Sequence, residues 1–440
     1  MTYTAPDNIL MVLRDLDLSK ALSVDDPRYV PTQEARGREQ TLHRLALKLG
    51  VDLDSNAFYP ALQRHILFFG HIGSGKTTEL RRYVQQLQGP GMYLVVEVDI
   101  SKELDHHNLQ YADTLMAMAQ VLMLRLDAVK LKVPEEKLKP LADWFSKRVH
   151  IFESGNSSQL EVKAGVKGAL TLPFVASLFS KFNVAFKTNA TYKDEMRKEI
   201  RNSFSEFARE FNALLAFAEE QLRDQNLATR VLFVIDNTDK LRDEDRKRFF
   251  IYDADQLLAI NAHIIYTAPL ELKYEGGLTG KLNSDIVLPM IKLQNRDGTR
   301  WEPGWQAMRA MLLNRANRSL FASDAEIDQL VEFSGGHPRE LMSLLQLACE
   351  YSESHKLDAE AVEKAIAQRA SDFRRFLSAK DYKLLVATDL SQEHDGNDSD
   401  TWNLMYRLAL LEYNDGSWRH SHPVIRRLDG YQKQLLASAT

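Results

Sequence analysis

The stretch Gly70-His71-Ile72-Gly73-Ser74-Gly75-Lys76-Thr77 fits the pattern G-x-x-x-x-G-K-[ST]. Its chemistry is the grip on a polyphosphate. Glycines let backbone N–H groups turn inward and approach phosphate oxygens without obstruction from side chains. A helix beginning at Lys76 turns its unpaired N–H groups and the positive end of its dipole toward the same anion. Lys76 is then placed to reach the β- and γ-phosphates, and the Thr77 hydroxyl to ligate magnesium. Thr78, next on the same turn, counts with the loop as a nucleotide-binding position.

Such a loop needs an acid on the far side of the metal. Val231-Leu232-Phe233-Val234-Ile235-Asp236 ends an uninterrupted apolar run on a carboxylate, and Asp236 is the candidate for the magnesium shell. Asp239 is the next carboxylate, with two roles open to it: polarising the attacking water, or capping the helix that follows. The candidate catalytic set is Lys76, Asp236 and Asp239, the candidate metal ligands are Thr77 and Asp236, and the expected cofactors are ATP or ADP with Mg2+.

These residues meet only if strands and helices bring them together. Residues 65–69 form a short apolar strand feeding the glycine loop, and the helix after it carries Leu80, Tyr83, Val84 and Leu87. Residues 93–98, 231–235, 263–267 and 286–293 are further apolar runs, separated by helical stretches that include 245–260. The pattern predicts an α/β fold with a parallel sheet covered by helices on both faces. Roughly 160 positions separate Lys76 from Asp236, whereas a βαβ unit needs about thirty residues. A large insertion, at about 101–228, is therefore expected.

Within the insertion, residues 108–126 read as a helix rich in Leu and Met. Residues 192–223 read as one long amphipathic helix, because Met196, Ile200, Phe204, Phe207, Phe211, Leu214, Ala218 and Leu222 recur at three- and four-residue steps. Between them Val162, Ala164, Val166, Leu170, Leu172 and Phe174 alternate with other residues, as do Phe182, Val184 and Phe186. That alternation predicts strands or a hairpin. Residues 1–36 are polar and turn-rich, and a helix spans 39–49. Beyond residue 301 the pattern is helical over 305–315, 324–333, 338–352 and 358–376. The tail holds two helices and then a hairpin around Asn414-Asp415-Gly416, which together look like a winged helix. The expected divisions are an N-terminal segment at 1–36, a P-loop domain at 37–300, a helical lid at 301–377 and the winged helix at 378–440.

The whole chain has 440 residues, 44% hydrophobic and 27% charged, a balance typical of globular proteins. A formal charge of −5 leaves no general electrostatic footprint for nucleic acid. Cys349 is the single cysteine, which excludes an internal disulfide. No secretory signal or membrane-length apolar run is read, so a cytoplasmic protein without a transmembrane segment is expected.

Gly37-Arg38-Glu39, the GSGKTT loop and the strand ending in IDNTDKL resemble the AAA+ and STAND class of P-loop ATPases. Ser334-Gly335-Gly336-His337-Pro338-Arg339-Glu340-Leu341 is similar to the sensor-2 stretch of archaeal-type initiator and transposition-regulator ATPases and to the G-x-P motif of STAND ATPases. The resemblance implies an AAA+-like nucleotide domain with a lid and a winged helix. It places Arg38 and Pro338 near the base, Thr267 at the sensor-1 position and Arg339 near the γ-phosphate. His422 is similar in place to the winged-helix histidine of STAND switches, against the plainer reading of a core or surface histidine. Where many AAA+ motors have a glutamate directly after the aspartate, this chain has Asn237, which cannot accept a proton. Slow, switch-type hydrolysis is implied instead. No arginine finger is identified; Arg242, Arg246 and Arg248 follow the acidic strand.

Three functions compete. The first is an ATP-controlled conformational or assembly switch, a homo-oligomer working with or without a separate effector or regulatory protein. Antiviral defence in prokaryotes is the setting the resemblance suggests. The second is a DNA-acting ATPase of initiator or transposition-regulator type. Its DNA module would be a tail of seven basic and nine acidic residues, with Asn403 and Arg407 on the candidate reading helix; that net negative charge favours the switch. The third is insertion of residues 170–186 into lipid, against the plainer reading of a packed hairpin or oligomer arm.

Overall fold

An apolar run with no solvated alternate position belongs to a strand covered on both faces, and the computed structural model sets three such runs, at 64–70, 230–236 and 263–269, side by side. It describes the chain except for residues 1–2, 38–39, 104–109, 154–170, 189, 242, 275–281, 283, 392–397, 417 and 439–440. The first element, α1 (Ile9–Asp15), lies in the segment expected to be turns. Asn8 caps it by accepting from the Leu10 N–H, and its seven residues are too few to show a period. Then come α2 (Thr41–Lys48) and a small antiparallel pair, β1 (Val51–Asp52) and β2 (Ala57–Phe58).

The main sheet consists of β3 (Arg64–Gly70), β4 (Tyr93–Asp99), β5 (Arg230–Asp236), β6 (His263–Pro269) and β7 (Ser284–Val287). Every pairing is parallel, in the order β4-β5-β6-β3-β7. Side-chain alternation sends Ile66 and Phe68 to one face, where they share a core with Leu80 and Val84 of α3 (Lys76–Gln86). Leu67 and Phe69 point to the other face and the larger core. The register sets Gly70 opposite Pro269 and Asp99 opposite Asp236. The phosphate loop and two acids thus share one edge, outside the carboxyl ends of the strands, where such sheets bind ligands. The strand expected over 286–293 stops at Val287. Leu288 still donates to the Phe69 carbonyl at 2.8 Å, but Pro289 has no N–H with which to continue the ladder.

The regular elements described in the insertion after β4 are all helices: α4 (Ile100–Glu103), α5 (Tyr111–Ala128), α6 (Glu135–Glu153), α7 (Leu172–Thr188), α8 (Ala190–Asn202) and α9 (Phe204–Asp224). The expected strand through Phe182, Val184 and Phe186 is corrected to part of α7, as is the alternation at Leu172 and Phe174. α7 packs on α5 with Val175, Ala176, Leu178 and Phe179 buried. A helix that is apolar over most of its circumference offers no clean 3.6-residue period, so chance alternation dominates the pattern. Val162, Ala164, Val166 and Leu170 lie outside the described residues. The single helix expected over 192–223 is two, broken at Ser203, whose hydroxyl donates back to the Glu199 carbonyl at 2.8 Å. Arg197 of α8 forms a buried ion pair with Asp113 of α5, which ties the insertion together.

After β5 the helix expected over 245–260 is split into α10 (Asp243–Lys247), a π turn (Arg248–Tyr252) and α11 (Ala254–Leu258). The π turn is how two successive phenylalanines, Phe249 and Phe250, are both buried. Residues 301–377, the stretch expected to form a lid, hold α12 (Glu302–Leu313), α13 (Asp324–Phe333), α14 (Pro338–Tyr351) and α15 (Ala359–Arg374), with α1 packed against α14. The tail holds α16 (Ala379–Ser391), α17 (Ser399–Tyr406), the hairpin β8 (Leu410–Tyr413) and β9 (Trp418–Ser421), and a closing helix α18 (Asp429–Ser438).

Candidate functional site

β3 delivers the chain to Gly70, and α3 starts six residues later. Gly73 at φ +88° and Gly75 at φ +96° lie in the left-handed region between them, which side chains disfavour. A Cβ on Gly73 would also stand 2.8 Å from His337 Cε1. The Lys76 ammonium folds back under this loop. It donates to the Gly70 carbonyl at 2.8 Å and the His71 carbonyl at 3.0 Å, and pairs with Asp239 Oδ2 at 2.7 Å. Its charge is buried but fully partnered.

Thr77 Oγ1 donates to Asp236 Oδ1 at 2.9 Å, while Asp236 Oδ2 is buried without a hydrogen bond. Burial first, and the neighbouring Asp239 second, raise the Asp236 carboxyl above the usual carboxylate range. A cation beside it would relieve both causes. A hydroxyl and an unpartnered carboxylate oxygen are also the hard donors that magnesium takes, leaving its other positions to water and phosphate. The residues present therefore fit the ion.

Beside Asp236, Asn237 adopts φ +68° and its amide donates to Asp99 Oδ1 at 2.7 Å. Asp99 closes β4 and also accepts from the Ser101 N–H at 3.1 Å, with Lys102 Nζ 3.4 Å away. Neither Asp99 nor its link to Asn237 was singled out as functional from sequence. The two residues lie 138 positions apart, and only the register between β4 and β5 joins them.

The loop is held from behind by the C-terminal parts of the chain. His71 Nε2 accepts from the Glu412 N–H of β8 at 2.9 Å. Burial pushes the His71 imidazole down to about 3, and His337 and Lys76 add to the shift, so it is a neutral acceptor. His337 takes the opposite tautomer. Its Nδ1 accepts from the Glu340 N–H, and its Nε2 donates to the Ile72 carbonyl at 3.0 Å. Arg339 donates from Nε to the Leu18 carbonyl, joining the lid to the N-terminal segment.

Among the described residues Arg36 reaches the phosphate loop, a position not singled out from sequence; Arg38 lies outside the described residues. The buried Arg36 guanidinium donates to the Ser74 carbonyl at 2.9 Å, to Thr32 Oγ1 at 2.9 Å and to the Pro289 carbonyl. Thr32 and Tyr29 in turn donate to Glu79 of α3. Thr78 is engaged in the same way, its hydroxyl accepting from the Leu22 N–H at 3.2 Å. The N-terminal segment thus lies across the start of α3. The polar, turn-rich composition of residues 1–36 hinted at a loop but not at where it docks.

Together these elements enclose a cavity of about 750 Å³, within the range of pockets for ligands of nucleotide size. Of the expected site residues, Ile72, Gly73, Gly75, Lys76, Thr77, Thr78, Asp236, Asp239, Pro338 and Arg339 line it, joined by Asp99, Asn237 and Leu18. Gly70, His71 and Ser74 support the loop without being lining residues. Thr267 is buried away from the lining, its carbonyl accepting from the Thr238 hydroxyl. His422 is a core histidine, packed on Phe373 with its Nε2 3.5 Å from Glu340. Arg246 is buried against Glu271 at 3.2 Å and so is not presented to a neighbouring subunit, Arg248 is exposed, and Arg242 lies outside the described residues.

No family model matches the chain, and no curated protein sequence matches it. Solved structures do align with it. Cdc6p from Pyrobaculum aerophilum is 14% identical with a TM-score of 0.37, over 96% of this chain and 100% of that one. A point variant of RuvB from Thermotoga maritima is 11% identical with a TM-score of 0.35, over 91% and 97%. The parallel strand order and the strand–loop–helix phosphate site of this chain are its own grounds for a P-loop α/β fold.

Proposed function

We propose that this chain binds ATP with magnesium, hydrolyses it slowly, and uses the bound nucleotide to control the position of its C-terminal hairpin. The phosphates would take the loop's inward N–H groups and Lys76, with Arg339 near the γ-phosphate, and the base would lie between the N-terminal segment and Pro338 of α14. Thr77 and Asp236 would hold magnesium, which supplies charge neutralisation at the phosphates when bound.

One observation carries the switch reading: the hydrogen bond from the Glu412 N–H to His71. The His71 carbonyl accepts from Lys76 while the His71 side chain accepts from β8. Any shift of Lys76 toward a phosphate therefore acts on the same residue that holds the hairpin. The lid is coupled in parallel, since Tyr413 donates to the Gly335 carbonyl at 2.7 Å. Self-assembly, an effector partner and a role in prokaryotic antiviral defence belong to this reading only as far as the family resemblance carries them.

The DNA-acting alternative has less support. α17 packs against the core at Leu270–Lys273, and its Arg407 lies over the Phe376 ring. Among the described residues no helix is long and apolar enough to cross a membrane.

The test is amide exchange of β8 and β9 with and without ATP and magnesium, in the unaltered chain and in Lys76→Ala. Nucleotide-dependent exchange in the hairpin of the unaltered chain alone is the expected result. Equal capture of labelled ATP by both proteins would remove the binding reading, and an unresponsive hairpin would remove the switch.

A further inference from the structure

We infer that Asp99 is the carboxylate that takes the proton of the attacking water, and that Asn237 is the positioning residue that holds it there. The inference rests on the reading of the cavity as an ATP site.

Three acids stand at the carboxyl ends of β4 and β5. Asp236 has one oxygen on the Thr77 hydroxyl and belongs to the metal side. Asp239 is ion-paired with Lys76 at 2.7 Å, so its charge is already engaged. Asp99 is the remaining one, set opposite Asp236 by the register of β4 on β5 and lining the same cavity. Its Oδ1 is fixed by two donors, the Asn237 amide and the Ser101 N–H. Its Oδ2 meets Lys102 at 3.4 Å, a side chain that is 75% exposed. One oxygen is thus anchored by two donors and the residue lines the cavity, which is the placement an oriented base requires.

Asn237 explains why the anchor exists. A left-handed backbone is unfavourable for most residues other than glycine, and asparagine is among those that tolerate it. That conformation accompanies an amide turned toward β4. Asparagine can donate to a carboxylate but cannot take a proton, so the residue after Asp236 serves as the donor and the neighbouring strand supplies the acid.

In the step, the water oxygen bonds to the γ-phosphorus while its proton passes to Asp99 Oδ2. The bond from the γ-phosphorus to its bridging oxygen breaks, and ADP leaves with the electron pair. Asp99 then releases the proton to solvent, which gives ADP, phosphate and one proton from ATP and water.

The rival role for Asp99 is structural, as the cap of α4 through the Ser101 N–H. Asp99→Asn separates the two, because asparagine caps as well as aspartate but is no base. In the full chain with ATP and magnesium, Asp99→Asn is expected to bind a labelled ATP analogue within about threefold of the unaltered protein and to turn over about 10²-fold more slowly. Nucleotide extracted after incubation should remain ATP in the variant and become ADP in the unaltered chain. Asn237→Gly, which suits the backbone but removes the amide, should lower kcat with affinity unchanged.

Turnover by Asp99→Asn within about threefold of the unaltered chain would overturn the inference. So would a loss of affinity that matches the loss of rate. An unaltered chain that binds ATP but never hydrolyses it would overturn this inference and leave the binding site standing. One that captures no ATP would remove both.

Discussion

The P-loop lysine, Lys76, is ion-paired with Asp239 at 2.7 Å, both side chains being largely buried. The chain neutralises with its own carboxylate the charge proposed to hold the phosphates. Breaking a buried pair by removing one partner costs about 3 kcal/mol or more, because a charge is left uncompensated.

Asp239→Asn should therefore melt at a lower temperature without nucleotide, and ATP should stabilise it more than it stabilises the unaltered chain. Thermal unfolding with and without ATP checks this. A variant that melts with the unaltered chain in both conditions would show that Asp239 is not the counter-charge.

His71 links the loop to the hairpin, so His71→Ala should leave the Glu412 N–H buried and unpaired. The cost is about 1–3 kcal/mol. Exchange at Glu412 and Tyr413 should quicken by about tenfold or more, while β3 and β6 stay protected. Mass-resolved hydrogen exchange reads the difference; unchanged exchange in β8 contradicts it.

Arg36 gathers the N-terminal segment, the phosphate loop and Pro289 beyond β7 onto one guanidinium. Arg36→Ala should cost about 3 kcal/mol and free residues 1–36 for cleavage. Arg36→Lys should not rescue it, since an ammonium lacks the planar fork that meets three separate acceptors. Limited trypsin digestion at Arg14, Lys20 and Arg28 reports the release.

Burial pushes His65 down to about 4 and His71, His263 and His337 to about 3. With folded values below the unfolded 6.5, each histidine contributes stability above pH 6.5 that is lost as the pH falls toward its folded value. At pH 5 each has lost about 2 kcal/mol. Glu271, pushed up to about 7 by burial, acts in the opposite sense, as do Glu219, Asp236, Asp253 and Glu412, whose carboxyls burial also raises; the histidines are expected to prevail, because four of them each lose about 2 kcal/mol. Urea unfolding should show a lower midpoint at pH 5 than at pH 7, and an equal or higher one at pH 5 would refute the assignment.

Local preference left clear marks in several places. The strand before Gly70 and the helix from Lys76 were readable because an apolar run and a 3.6-residue period are properties of a few consecutive residues. Asp324–Phe333 has the bounds expected from its pattern, and its start is set locally, by a capping box between Ser323 and Glu326 three residues apart. The marks failed where the pattern had two sources. In Leu172–Thr188 apolar residues on nearly every face imitated an alternating strand. At Ser203 a single hydroxyl bonding backward divided a helix whose apolar period runs on unbroken.

By itself the sequence determined the phosphate loop, the sheet that carries it and the acid that ends the third strand of that sheet, since each is encoded in a short run of residues. Tertiary structure alone decided that His71 meets Glu412 across 341 positions, that Asn237 meets Asp99 across 138, and that Arg36 joins the loop. The physical reason is the same in all three. A hydrogen bond depends on where two backbones cross in space, and strand register and lid packing set that crossing, with no periodic trace in either partner's neighbourhood.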